Sequence, residues 1–405
     1  MSGLLNPPRY FRDMKFQSHS QRSVSWLELF YDLVYVATFI QLGNFLGDHL
    51  SVVGVSQFLI MVTAIWWAWS GMAFFQNRFV VDDLPHRILT FIQISAIAIM
   101  GLSLSEAFGE LGRQFTISYI VTRLVLVLMY IRAMLSVPES RKFTGRYAAG
   151  FTLGAAFWAL SLFVSGEYQW LCWLCWLVGI SVELAVPKLP GIRPYRKKWA
   201  IDSHHITERF GIFIIIVMGE SFIKFLSVTE GYDVGAEQLT YGGAGLVVIF
   251  VLWWLYFTGL PSASLNTAND RRAMAWVYGH LPLTVGLVAA GVSAKKLFLV
   301  DVNAHSFALP EEYRLLYISS LVLYFLSLVI IDLGLQFGRG HHYRSARLTG
   351  NLVAAVLIAV VGLVSDQFTG ANMVRIVAAV MLAQLCYRIY LDSRFSVKEA
   401  LPVQG

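Results

Sequence analysis

Apolar residues run through this chain in blocks of about 20, the length an α-helix needs to cross the hydrocarbon core of a bilayer. Short polar stretches separate the blocks. Read in order, they predict about twelve spans, at 26–46, 54–76, 88–108, 115–135, 146–165, 168–186, 206–228, 240–260, 275–297, 313–337, 347–365 and 370–391. A very short turn around Gly166 is expected between the fifth and sixth, and another around Gly370 between the last two. The fold class this predicts is an all-α polytopic membrane protein.

Composition agrees with the pattern. The chain is 57% hydrophobic and only 14% charged, against about 25% charged in soluble domains. The net charge of +6 says less than its placement. With the N-terminus inside, of all Lys and Arg only Arg113, Lys295, Lys296, Arg314 and Arg375 fall outside. Arg123, Arg209 and Lys224 fall within spans, and the rest are inside, as the positive-inside rule requires. The residues ahead of Val24 carry Arg9, Arg12, Lys15 and Arg22 and no apolar core, unlike a cleavable signal peptide. The expected organisation is therefore a basic cytoplasmic segment (1–25), a first six-helix half (26–187), a basic cytoplasmic linker (188–205), a second six-helix half (206–391) and a cytoplasmic tail (392–405). Both termini are expected to be cytoplasmic, in the cell membrane. Trp26, Tyr168 and Trp170 lie near span ends, where interfacial anchors belong.

The halves read as a duplication. ELFYDLVYVATFIQLGNFL (28–46) lies over ERFGIFIIIVMGESFIKFL (208–226), with Glu28 on Glu208 and Phe30 on Phe210. Trp66-Trp67 matches Trp253-Trp254, Asp83 matches Asp270, and MGLSLSEAF (100–108) matches AGVSAKKLF (290–298). Six spans per half is an even number, so the repeats would be parallel, one of the plans used by transporters.

Four stretches resemble a known family: WLELFYDLVYV (26–36), WWAW (66–69) with NRFVVDD (77–83), ERFGIFIIIVMGES (208–221) and HLPL (280–283). They are similar to the bacterial low temperature requirement A (LtrA) family, over nearly the whole chain. Tyr31 and Tyr35 stand where the family pattern has Phe, and the acidic positions are intact. The resemblance implies an integral membrane protein named for a cold-growth phenotype. It implies no particular activity.

Candidate chemistry rests on charges within the spans. An ionisable residue at mid-membrane costs about 3 kcal/mol on insertion scales, so it persists where it faces protein or water and has a partner. Glu28 and Asp32 share one face of the first span. Like charges there repel unless one is protonated or a cation is near, and Arg209 is the candidate cation. The seventh span carries Glu208 and Arg209 at its start, then Glu220 and Lys224, a favourable i,i+4 pair. Glu220 lies about 18 Å beyond Glu208 at the helical rise. Arg123, at mid-depth, is expected to pair with Glu220. Asp332 lies toward the cytoplasmic end of the tenth span. Glu28, Asp32, Glu208 and Asp332 are expected to line one inward-facing polar cavity. The alternative is structural: such groups also hold helices in register. Glu106, Arg132 and Glu183, near span ends, are expected to snorkel.

Other polar motifs read as local structure. NRFVVDD with Arg87 predicts a salt-bridged clasp at the foot of the second span, mirrored by Asn269, Asp270, Arg271 and Arg272. His204-His205 and His341-His342 lack companion ligands at metal spacing. His280 is expected to join the cytoplasmic polar cluster or to make a structural hydrogen bond. Cys172 and Cys175 form C-x-x-C in an apolar block, where packing outweighs redox chemistry. Phosphate-loop, dinucleotide, zinc-protease and serine-hydrolase motifs are absent, so no cofactor, metal or catalytic residue is implied. Nothing points to nucleic acid. The expected partners are membrane lipids and a small solute, proton or cation. Three functions are weighed: a secondary transporter or ion-conducting protein, a membrane-embedded enzyme acting on lipid or isoprenoid, and a non-catalytic sensor or assembly factor of membrane state. Substrate and oligomeric state are not encoded in any motif.

Overall fold

Every predicted apolar block falls on a helix. The computed structural model describes residues 6–15, 22–164, 168–227, 236–258, 263–265, 269–304 and 310–396. A short strand β1 (Arg9–Tyr10) and a one-turn helix α1 (Phe11–Lys15) lead to α2 (Trp26–Asp48), α3 (Val52–Arg78) and strand β2 (Phe79–Val80). Then come α4 (Leu84–Leu102), α5 (Gly112–Ser136), α6 (Arg141–Ser161), α7 (Gln169–Ala185) and α8 (Ser203–Ser227). Beyond these are α9 (Ala236–Phe257), β3 (Ala263–Leu265), α10 (Asp270–Ala304) and α11 (Glu311–Gly334). Strand β4 (Leu335–Phe337), α12 (Gly340–Leu363) and α13 (Gly370–Ser396) complete the chain.

Among the described residues, nine of these helices are long and apolar enough to cross a membrane: α2, α3, α4, α5, α7, α10, α11, α12 and α13. Helix α6, which opens with Arg141, Lys142 and Arg146, is less apolar. In α9, Gly243–Phe257 is a shorter apolar stretch. The turn around Gly166 lies outside the described residues. That before Gly370 is a short 3-10 turn over Ser365–Gln367.

The helices are turned inside out relative to those of a water-soluble protein. On α4, Leu84, Ile88, Phe91, Ile99 and Leu102 are exposed, while His86, Thr90 and Gln93 are buried. On α12, Leu352, Val353, Val356, Leu357 and Val360 are exposed, while Arg347 and Asn351 are buried. A helix in water buries its apolar stripe. Here the apolar stripe faces outward and the polar one inward, as hydrocarbon surroundings demand.

The chain groups into two units, Met1–Ile212 and Phe213–Gly405. The expected linker of 188–205 and the first turns of α8 belong to the first unit. In that unit α2 packs on α3 and α4, α3 on α5 and α7, and α4 to α7 pack in sequence. Within the expected basic N-terminal segment, residues 9–10 are docked. Strand β1 pairs antiparallel with β2, Arg9 opposite Val80 and Tyr10 opposite Phe79. The Tyr10 hydroxyl donates to the Lys198 and Ala200 carbonyls at 3.0 and 3.2 Å. Trp199, which is buried, stacks near Phe79 and Phe143. The linker is thus folded against the foot of α3 and α6.

In the second unit α10 packs on α11, α11 on α12, α12 on α13 and α13 on α9. Strands β3 and β4 pair antiparallel, Ala263 opposite Phe337 and Leu265 opposite Leu335. His280 is buried, its ring bonded to the Trp276 carbonyl at 2.7 Å and the Tyr256 hydroxyl at 2.9 Å. It is a structural hydrogen-bonding group of the α9–α10 contact.

Close approach of α6 and α7 depends on two glycines. A methyl group on Gly154 would lie 2.4 Å from Glu183 Cγ, and one on Gly179 would lie 2.6 Å from Trp158 Cδ1. Gly219 of α8 has no heavy atom of the described residues within 4 Å of that position. Gly179→Ala is therefore expected to destabilise the protein by about 1–3 kcal/mol through overpacking. Gly219→Ala should be neutral or stabilising by up to about 1 kcal/mol. Unfolding of the detergent-solubilised variants measures both, and equal midpoints for the two would contradict the packing described.

Candidate functional site

The first turn of α2 is built by a capping box. Ser25 accepts from the Glu28 amide at 3.3 Å, and the Glu28 carboxylate accepts from the Ser25 amide at 2.8 Å. This S-x-x-E arrangement fixes where α2 starts, and so the depth of Glu28 and of Asp32 one turn later. Both side chains are buried.

Arg209 of α8 lies between them. Its Nη2 donates to Asp32 Oδ1 at 2.6 Å, and its Nη1 is 3.2 Å from Glu28 Oε1. Nη1 also donates to Gln76 Oε1 at 2.8 Å. The Trp69 indole N–H donates to Asp32 Oδ1 at 2.8 Å. Around Glu28, Arg22 approaches Oε1 at 3.2 Å and His205 Nε2 approaches Oε2 at 3.4 Å. Arg22 also donates to the Gln76 carbonyl at 2.8 Å. Burial pulls the pKa of Arg22 down from the usual guanidinium value, and Glu28 beside it draws it back up.

A second layer holds the first. Asn77, in the last turn of α3, donates to the Asp202 carbonyl and accepts from the Asp202 amide, each at 2.9 Å. Its amide nitrogen is also 3.2 Å from His205 Nδ1. The Asp202 carboxylate accepts from the backbone amides of His204 and His205, capping the start of α8. The NRFVVDD stretch therefore does two jobs. Asn77 aligns α8, and Asp83 caps α4 by accepting from the His86 amide at 2.9 Å.

The cluster is balanced in charge but not fully satisfied. Asp32 Oδ2 and Arg209 Nε are buried without a hydrogen-bond partner among the described residues. An open carboxylate oxygen beside a guanidinium, in a dry setting, can take a proton, a water or a cation.

The other candidates fall elsewhere. Arg123 does not have Glu220 as its described partner; its salt bridge is to Glu183 of α7, 2.7 Å away, and both are fully buried. Glu183 was expected to snorkel, but a carboxylate this deep is held by Arg123 and by the Tyr119 hydroxyl, which donates at 2.8 Å. Tyr119 stacks on Trp158 with ring centres 4.0 Å apart. Arg132 pairs with Asp83 at 2.7 Å, and exposed Asp82 with Arg87 at 2.9 Å. Asn269 caps α10 by accepting from the amides of Arg271 and Arg272. Glu208 is half-buried and forms no ion pair among the described residues. Asp332 lies in the second unit, neutralised by Arg347 at 2.9 Å. Of the four carboxylates expected to line one cavity, Glu28 and Asp32 meet at Arg209 in the first unit, and Asp332 is paired within the second. The side chains of Glu220 and Lys224 lie outside the described residues. Cys172 and Cys175 are free thiols, Cys172 donating weakly to the Ser161 carbonyl.

A family model for the bacterial low temperature requirement A protein (LtrA) matches residues 23–384, from the foot of α2 into α13. The chain belongs to the LtrA family. It is also similar to an uncharacterized protein, RA0937, of Rhizobium meliloti (strain 1021). That similarity is 27% identity over 319 residues, covering 74% of this chain and 76% of the relative. With its outward apolar faces and, among the described residues, nine helices long and apolar enough to cross a membrane, this LtrA protein is a multi-pass membrane protein.

Several members of the clamp escape a sequence reading. Ser25 and Glu28 do carry a visible signal, the capping box ahead of an apolar run. Trp69 lies in the WWAW motif, but nothing there says which indole is a donor to Asp32. Gln76, His205 and Arg22 are contributed by segments brought together only by folding.

Removing the cation should be costly because it leaves two carboxylates facing one another. Arg209→Met is expected to destabilise the protein by about 3–5 kcal/mol. Adding Glu28→Gln and Asp32→Asn to the same chain should recover most of that loss. Chemical unfolding in detergent measures it, and a triple variant no more stable than the single one would show that charge is not the cause.

Proposed function

We propose that this LtrA protein is a secondary transporter or ion-coupled permease in the cell membrane. Twelve spans would form two parallel six-helix halves with both termini cytoplasmic, and a small solute, proton or cation would be moved. The observation that carries this reading is the open Asp32 Oδ2, buried beside Arg209. Glu183 Oε1 is also buried and open, but Arg123 serves that carboxylate alone, whereas Arg209 is shared by Glu28 and Asp32 and keeps a carboxylate partner when Asp32 takes a proton or cation.

The clamp suggests how coupling would work. With both carboxylates ionised, Arg209 is held by α2 from two positions. Loading Asp32 with a proton removes one of those charges and leaves Glu28 and Gln76 as its partners. The arrangement around α8 then changes its energy, and a two-state protein follows whichever state gains. Glu208, Glu220, Lys224, Arg123 and Asp332 remain candidates for the wider path. The matched acids Glu28 and Glu208 support duplicated halves, as do the side-chain caps at Asp83 and Asn269 on the helices that open the third span of each half.

The test is proton and cation flux into liposomes holding the full chain, driven by pH and ion gradients. Wild type is expected to carry a pH-dependent flux that Asp32→Asn lowers at least about tenfold, the loss of one essential ionisable step. Glu28→Gln should weaken it less, because Arg22 and His205 still anchor that corner. Undiminished flux in Asp32→Asn, with the protein folded, would overturn the mechanism.

A further inference from the structure

The second unit contains a buried cluster of different charge balance. Arg347 of α12 holds Asp332 of α11 through both carboxylate oxygens, Nη2 to Oδ1 at 2.9 Å and Nε to Oδ2 at 3.1 Å. Asn351, one turn further on, donates to Asp332 Oδ2 at 3.4 Å. Its own oxygen accepts from Arg388 Nη2 at 3.0 Å and from Gln384 Nε2 at 3.2 Å. All five side chains are buried, Arg388 completely. Asp392, the next acid along α13, is engaged by Arg339 and by the Tyr343 hydroxyl.

The charges do not cancel. Asp332 is one carboxylate, and Arg347 satisfies it. Arg388 is a second guanidinium whose acceptor is a neutral amide, and its Nε and Nη1 have no hydrogen-bond partner among the described residues. Arginine does not shed its proton in a protein. A buried, unpaired guanidinium in an apolar bundle is strongly unfavourable, and its two open nitrogens show where a counter-charge would be received.

We propose that Arg388 binds one small monovalent anion of the chloride class inside the second unit, at one of its open nitrogens, Nε or Nη1. Monovalence follows from the excess, which is a single positive charge. The chloride class follows from burial, since entry strips the hydration shell, and sulfate or phosphate holds its water far more strongly. The site stands on residues of α11, α12 and α13 alone and does not depend on the transport reading.

The experiment is thermal unfolding of the full chain in a neutral detergent, at fixed ionic strength, as gluconate is replaced by chloride, nitrate or sulfate. Chloride and nitrate are expected to raise the midpoint with a saturating dependence, by about 3 °C or more once the site is filled. Sulfate should have little effect. Gln384→Glu gives a decisive second arm. Gln384 precedes Arg388 by one helical turn, so a carboxylate there supplies the missing charge from within. This variant should stay folded, gain stability in gluconate and lose the chloride dependence. Wild-type midpoints equal in chloride and gluconate would overturn the proposal. So would a chloride-dependent rise that Gln384→Glu leaves unchanged.

Discussion

The fork of Arg209 between Glu28 and Asp32 is the contact on which the first unit is organised. A carboxylate pair in an apolar helix is tolerable only with a cation held in good geometry. That cation comes from a helix far along the chain, which must be delivered to the right depth. The intervening segment does so by folding against α3 and α6, through Trp199 and the Tyr10 bonds to the Lys198 and Ala200 carbonyls. Asn77 then fixes the start of α8 by its reciprocal bonds to the Asp202 backbone. This is why the unit ends within α8, at Ile212, rather than in the linker before it.

Two buried pairs in the same unit show how differently such charges can be used. Arg123 and Glu183 are closed off by Tyr119 and by the Trp158 ring stacked on it. Gly154 lets the Glu183 side chain nest directly against α6. That pair has the features of a register device: stacked rings, no exposure, and helices in close contact. The Glu28–Asp32–Arg209 group has more partners, and each group leaves one buried carboxylate oxygen without a partner among the described residues, Glu183 Oε1 in the first and Asp32 Oδ2 in the second. Location in the spans and an open oxygen are therefore common to both. What differs is that Arg123 serves one carboxylate and Arg209 is shared by two.

The helices were legible in the sequence because apolar blocks of spanning length are a coarse signal that survives errors of several residues at each end. The meeting of Glu28, Asp32 and Arg209 was legible too, since two acids a turn apart require a cation and Arg209 enters its helix at a matching level. The pairing of Arg123 with Glu183 was not legible, for a physical reason. Depth along a span is readable from sequence, but the azimuth that decides which neighbour is faced is set by packing, here by the glycines that draw α6 and α7 together. Glu183 was read as interfacial because its place near a span end is ambiguous until the Arg123 contact is known. The docked N-terminal segment gave no signal at all, since a two-residue strand pairing with Phe79–Val80 leaves no periodicity to detect.

The chemistry of the clamp limits which of its members can act as a switch. Arg209 keeps its charge under any physiological condition, and so does Arg22. Gln76, Trp69 and Asn77 are neutral donors and acceptors that cannot change state. The members whose charge a bound proton or cation can offset are the two carboxylates. Glu28 is tied by its capping box, by Arg22, by His205 and by Arg209, so changing its charge disturbs the start of α2 itself. Asp32 is tied through one oxygen only, to Arg209 and Trp69, and its other oxygen is open. The residue able to change state with least damage to the scaffold is therefore Asp32. In the proposed duplication it is also the acid without a counterpart, because Ile212 takes the corresponding position after Glu208. A duplicated framework that retains the first acid and varies the second would place the shared structural role at Glu28 and the specialised one at Asp32.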